Sequence, residues 1–149
     1  MEKTTKINNN ETIALSIKTY EKVLLAMKKK LLIVESPAKI KTIKKFLGNE
    51  FVIMSTVGHI KDLPKRKTGI TINDGIHLEY TIMDDKEKVV ADLVKAASTA
   101  DTVYLAPDPD REGEIIAWHV AQEIEKVIKD RSIIKRISFN EITESAIQE

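Results

Sequence analysis

An α/β fold with a mostly parallel central sheet is predicted by three observations. Short apolar runs, Leu31-Leu32-Ile33-Val34, Phe51 to Val57, Val103-Tyr104-Leu105-Ala106 and Ile133 to Phe139, have strand length. Segments of helical periodicity separate them, which is the pattern of a sheet covered on both faces. Two of the runs end on acids, Glu35 after the first and Asp108 shortly after the third, as expected where buried strands open onto a ligand-binding edge.

Each element follows from local chemistry. After the first strand, Ser36 suits a helix N-cap, Pro37 the first helical turn and Gly48 the C-cap. The second strand is stopped by Gly58. From His59 to Met83 the chain is punctuated by Pro64, Lys65-Arg66-Lys67, Gly69 and Asn73-Asp74-Gly75, which allows a small hairpin or irregular strands. Asp84 or Asp85 then caps a helix reaching about Ser98, where Val89, Val90, Leu93, Val94 and Ala97 keep helical spacing. The third strand leads into a long helix from about Arg111 to Ile128, whose apolar residues include Trp118; an aromatic at that spacing reads as core rather than as a base-stacking platform. His119 beside it reads as an interior hydrogen bonder. A fourth strand closes the domain, and Thr143 begins a helix.

The sequence divides into an extension, residues 1–26, and a domain, residues 27–149, of which 140–149 begin an exit toward a further domain. The extension carries Asn8-Asn9-Asn10 and a mixed stretch whose charges exclude a signal peptide, and it is expected to be mobile or loosely docked. With 149 residues and 42% hydrophobic content, the chain suits one compact core. Absence of cysteine removes disulfides and thiolate chemistry, so any metal must be oxygen-bound, and it fits a reducing cytosol. The net charge of +1 conceals a gradient, since residues 1–50 carry eleven basic and five acidic side chains and residues 101–149 carry six and eleven. A basic start folded against an acidic end can hold phosphate and metal together. No segment approaches the roughly twenty apolar residues of a membrane span.

The densest chemistry is Asp108-Pro109-Asp110-Arg111-Glu112, three carboxylates where a strand meets a helix. Crowded carboxylates repel one another and serve a cation or a proton. If the first and third strands are parallel neighbours, Glu35 joins them on one sheet edge. Mg²⁺ takes only one or two protein carboxylates and keeps several waters, which nominates Asp108 and Asp110 as ligands, with Glu112 third or through water. The competing explanation is that Asp108 or Asp110 only caps the helix. Glu35 is placed to hold or shuttle a proton near a phosphate, or is simply comfortable before a helix. Arg111 either bridges phosphate oxygens or clamps a neighbouring acid. His59 contacts nucleic acid or hydrogen-bonds an active-site acid, and Glu114 faces solvent or supports the site from outside.

Three ordered blocks carry a resemblance: Val34-Glu35-Ser36-Pro37-Ala38-Lys39 with Lys41-Thr42-Ile43; Gly58-His59-Ile60-Lys61-Asp62-Leu63-Pro64; and Asp108-Pro109-Asp110-Arg111-Glu112-Gly113-Glu114 with Ala117-Trp118-His119. Together, from about Lys28 through Phe139-Asn140-Glu141-Ile142-Thr143, the chain resembles the Toprim domain of bacterial type IA DNA topoisomerase I. The resemblance implies a Rossmann-like Toprim domain of about four strands and a bacterial, nucleoid-associated isomerase. It further implies Mg²⁺ as cofactor and a single-stranded segment of negatively supercoiled DNA as partner, in a monomer with no membrane association. It assigns the cleavage-site glutamate to Glu35 and contact with the scissile phosphate, or protonation of a leaving oxygen, to Lys39. With the readings above, the expected site comprises Glu35, Lys39 and Arg111 as catalytic residues, Asp108, Asp110, Glu112 and Glu35 as metal ligands, and His59, Lys39 and Arg111 as DNA contacts. Enzymes of this type break one strand by tyrosine attack on phosphate. The three tyrosines here, Tyr20, Tyr80 and Tyr104, stand in no matching motif, so the chain is expected to be a catalytic module that depends on further domains. A self-contained Toprim nuclease or primase-like protein, with metal-bound water as nucleophile, and an inert metal- and DNA-binding module are the alternatives.

Overall fold

The structure, a computed structural model, describes residues 9–26, 29–65, 70–72, 75–139 and 147. Its core is a four-stranded parallel sheet in the order β2 (Phe51–Ser55), β1 (Lys30–Val34), β7 (Thr102–Leu105), β8 (Ile134–Arg136). Register runs Ile33↔Met54 on one side of β1 and Ile33↔Leu105 on the other. Central strands buried on both faces must be apolar at consecutive positions, and Leu31, Leu32, Ile33 and Val34 are each at most 1% exposed.

Helices α3 (Glu87–Ser98) and α4 (Arg111–Ile124) cover one face, packing Val90, Leu93, Ile116, Val120 and Ile124 on Leu31, Ile33, Val103 and Leu105. On the other face α2 (Pro37–Leu47) contributes Ile43 against Leu32 and Val34, joined by Phe139 and Ile147. As expected, Ser36 Oγ accepts from the Ala38 amide and Pro37 opens α2, which Gly48 ends at φ +66°. The punctuated segment forms two small ladders, β3 (Lys61–Asp62) with β6 (Thr81–Ile82) and the hairpin β4 (Ile70–Ile72) with β5 (Ile76–Leu78).

Several boundaries differ from expectation. A 3₁₀ turn, Asp84–Lys86, precedes α3, and neither Asp84 nor Asp85 acts as its cap. Helix α4 stops at Ile124 and β8 spans only Ile134–Arg136. In the extension, Asn9–Ala26 forms a helix, α1, with exposed side chains from Asn10 to Val23. The helix expected from Thr143 falls largely outside the described residues. Trp118 is corrected outright: it is 52% exposed, because the buried arc of α4 runs through Gly113, Ile116, Ala117, Val120 and Ile124, and Trp118 projects about 100° beyond Ala117 around the axis.

Candidate active site

Strand order alone locates a crevice. From β1 the chain moves outward to β2 and later returns to β7 on the other side of β1, so the connections leaving β1 and β7 diverge. Ligands of open α/β sheets bind at such a switch point, beyond the carboxyl ends of the strands. Glu35 follows β1 directly, and Asp108 lies three residues past β7, whose exit is tied to β1 by the Ala106 amide donating to Ile33 O at 2.8 Å.

Lys39 joins the two acids. One turn into α2, its ammonium donates to Glu35 Oε1 and, at 2.5 Å, to Asp108 Oδ1. Burial works to lower the Lys39 pKa, but hydrogen bonds to Asp108 and Glu35 and the charges of both outweigh it and hold the ammonium above its usual value. Asp108 is correspondingly held below the ordinary carboxylate range, chiefly by the Lys39 hydrogen bond, against some burial, with further help from Glu35 and from the charges of Lys39 and Arg136. The second Glu35 oxygen, Oε2, is buried and without a hydrogen-bond partner among the described residues.

The remaining acids are engaged elsewhere. Asp110 caps α4, its Oδ1 accepting from the Gly113 amide at 2.7 Å. Glu112 Oε1 lies 2.8 Å from His59 Nε2, so His59 reaches an acid of the acidic turn from the opposite side of the edge. The turn that delivers His59 is tight: Val57 has φ +55° and Gly58 φ +86°, and the Gly58 amide donates to Glu35 O at 2.8 Å. Arg111 is exposed and makes no ion pair among the described residues. Glu114 pairs with Arg136 at 2.7 Å.

Two residues that the sequence reading did not single out hold this turn. Arg136, at the end of β8, donates to Leu105 O, Ile137 O and Asp108 O as well as to Glu114, tying the exit of β7 to the first turn of α4. The sequence carried no clear signal for it, since Arg136 falls inside the expected strand Ile133 to Phe139; only the pairing of β8 with β7 and the end of β8 at Arg136 bring it to the sheet edge. Gly113 admits the second contact, since a Cβ there would fall 1.9 Å from Asp108 O. Its signal was a glycine one turn inside a helix, a costly position unless something approaches closely.

A family model of the Toprim domain matches residues 30–142. The chain belongs to the Toprim family. Its four-stranded parallel sheet flanked by helices is the α/β, Rossmann-like architecture expected. Similar curated proteins include DNA topoisomerase 1 of Rickettsia felis, 51% identical over 120 residues, covering 79% of this chain and 16% of the relative. Another is DNA topoisomerase 1 of Xylella fastidiosa, 46% identical over 128 residues, 83% of this chain and 15% of the relative. Among solved structures, full-length topoisomerase I from Thermotoga maritima superposes with a TM-score of 0.69 at 42% identity, covering 79% of this chain and 19% of that one. This Toprim chain therefore spans about one sixth of the length of the relatives it matches.

The residues present fit a hydrated divalent cation rather than an all-protein cage. Among the described residues no three His, Asp or Glu side chains converge as a metal cluster. A buried, unpartnered Glu35 oxygen beside the Asp108 carboxylate offers the one or two hard donors that Mg²⁺ ordinarily takes, with water completing the shell. Among the described residues no helix is long and apolar enough to cross a membrane.

Proposed function

We propose that this Toprim domain supplies the metal, acid and phosphate contacts of a type IA DNA topoisomerase, acting on a single-stranded segment of negatively supercoiled DNA. The observation that carries the reading is the Glu35–Lys39–Asp108 constellation at the switch point of the sheet, a cation held between two acids where a phosphate would sit. Strong identity to DNA topoisomerase 1 proteins supports the same reading.

Glu35 and Asp108 would hold Mg²⁺, with Asp110 and Glu112 reaching it directly or through water. Bound Mg²⁺ supplies positive charge against the phosphate oxygens. Lys39 then contacts a non-bridging oxygen of the scissile phosphate, and Arg111, without an ion pair among the described residues, offers paired donors to a neighbouring phosphate. His59 fixes Glu112 and orients the acidic turn. In cleavage a tyrosine oxygen forms a bond to phosphorus as the bond from phosphorus to the 3′ oxygen breaks. The tyrosine proton passes through Glu35 to the released 3′ oxygen, and religation reverses both transfers.

That tyrosine is assigned to a domain beyond these residues. Tyr104 lies within β7 against Phe51, Tyr80 packs on Trp118 and His119, and Tyr20 is on the exposed α1. The chain alone should neither relax nor nick a supercoiled plasmid in Mg²⁺. Joined to the tyrosine-bearing remainder of such an enzyme, it should support relaxation, weakened in its metal response by Asp108→Ala with Asp110→Ala and slowed in cleavage by Glu35→Ala or Lys39→Ala. Robust nicking by the isolated chain, abolished by Asp110→Ala, would replace this reading with a self-contained nuclease.

A further inference from the structure

We infer that the groove beside Trp118 is a stacking subsite for one base of single-stranded DNA. The inference extends the proposed function, since the strand that places a phosphate at Lys39 is the one whose base would reach this groove.

Trp118 stands on the outer side of α4, 52% exposed, yet its indole has aromatic neighbours. The Tyr80 ring meets it edge-on at 6.2 Å, and His119 lies 5.1 Å from the indole and 4.6 Å from the Tyr80 ring. His119 is only 1% exposed, and contrary to the hydrogen bonding expected of it neither ring nitrogen has a partner among the described residues, so packing alone makes it a backing. The indole is thus held in place before any ligand arrives, which reduces the ordering cost of binding. Beside it lies a groove of about 450 Å³ lined by Lys61, Leu78, Tyr80, Trp118, Gln122, Glu125 and Lys126.

The chemistry of this lining selects the occupant. A base presents a flat apolar face and a polar edge, matching an indole flanked by the Gln122 carboxamide. The Lys126 side chain, 64% exposed although its ammonium donates to Glu123 at 2.6 Å, stands at the rim within reach of a phosphate. Glu125 is paired with Arg131 at 3.2 Å and Lys126 with Glu123 at 2.6 Å, so an apolar protein surface laid here would have to bury both charged pairs. Position agrees as well: Trp118 is seven residues along α4 from Arg111, about 10 Å, or about three base steps of a stacked strand.

The chain has a single tryptophan, so its emission reports this groove alone. Titrate the protein with oligothymidine and with an abasic oligonucleotide of equal length, following tryptophan emission, while anisotropy of end-labelled strands measures binding. The expected result is saturable quenching by oligothymidine only. Trp118→Leu should weaken oligothymidine binding about 5- to 150-fold, with Trp118→Phe restoring most of it. Quenching by both strands alike, binding without quenching, or quenching that grows with protein concentration in the absence of DNA would each overturn the subsite. Plasmid relaxation by the domain joined to its tyrosine-bearing remainder is a separate arm: quenching kept while relaxation fails overturns the catalytic reading alone, and relaxation kept while quenching fails overturns the subsite alone. Failure of the catalytic reading is thereby told apart from failure of this one.

Discussion

Replacing Gly113 by alanine should dislodge the acidic turn. A Cβ at this position would sit 1.9 Å from Asp108 O, whereas ordinary contact begins near 3.4 Å, so the Asp108 backbone must retreat by about 1.5 Å. That carbonyl accepts from Arg136 at 3.2 Å, and the same residue presents its carboxylate to Lys39 at 2.5 Å. Overpacking costs about 1–3 kcal/mol and a hydrogen bond to a charged donor about 1.5–3, while alanine returns about 1 kcal/mol of helix propensity. The net loss is about 1.5–5 kcal/mol, or about 3–20 °C in melting temperature for a chain of this size. Thermal unfolding followed by circular dichroism measures it. Gly113→Ala and Arg136→Ala act on one carbonyl, so the double variant should lose less than the sum of the singles. A Gly113→Ala protein melting within about 1 °C of wild type would refute the close approach and the turn's dependence on it.

Lys61 and Glu123 form an ion pair at 2.6 Å with side chains 8% and 7% exposed, and Lys126 also donates to Glu123. Glu123→Leu strands Lys61 and should cost about 3–5 kcal/mol in urea unfolding, whereas Lys61→Met leaves Glu123 with Lys126 and should cost less; the reverse order would mean Lys126 does not compensate. Lys39→Met tests the charge pairing at the edge. Because Asp108 is held below its ordinary 3.8, its share of stability is present above that pH and lost as pH falls through the lower folded value. The Lys39 pKa is raised above 10.5, so its share is present below that value and lost as pH climbs past the folded one. The stability gap between wild type and Lys39→Met should therefore be level across neutral pH and close at both extremes; a gap that opens only near pH 7 would contradict it. Deleting residues 1–26 should shift melting little, since the α1 side chains from Asn10 to Val23 are exposed, and a large loss would show that the extension is part of the core.

By itself the sequence determined the parallel α/β class, the central strands, the cap at Ser36 and the family, because consecutive apolar positions, cap chemistry and motif order are local properties of the chain. It also named Glu35, Lys39 and Asp108. Their meeting was conditional on β1 and β7 being neighbours, which strand order settles. Only tertiary structure decided that Asp110 turns to cap α4, that Glu112 turns to His59, and that Arg136 gathers three carbonyls and Glu114. The exposure of Trp118 was half legible. Its offset from the 113–116–117–120–124 stripe is a matter of helix period, but which neighbours back the indole depends on Tyr80 arriving from 38 residues upstream. Side-chain partners of this kind are chosen by packing between segments distant in the chain, so spacing can nominate the residues while the fold assigns their contacts.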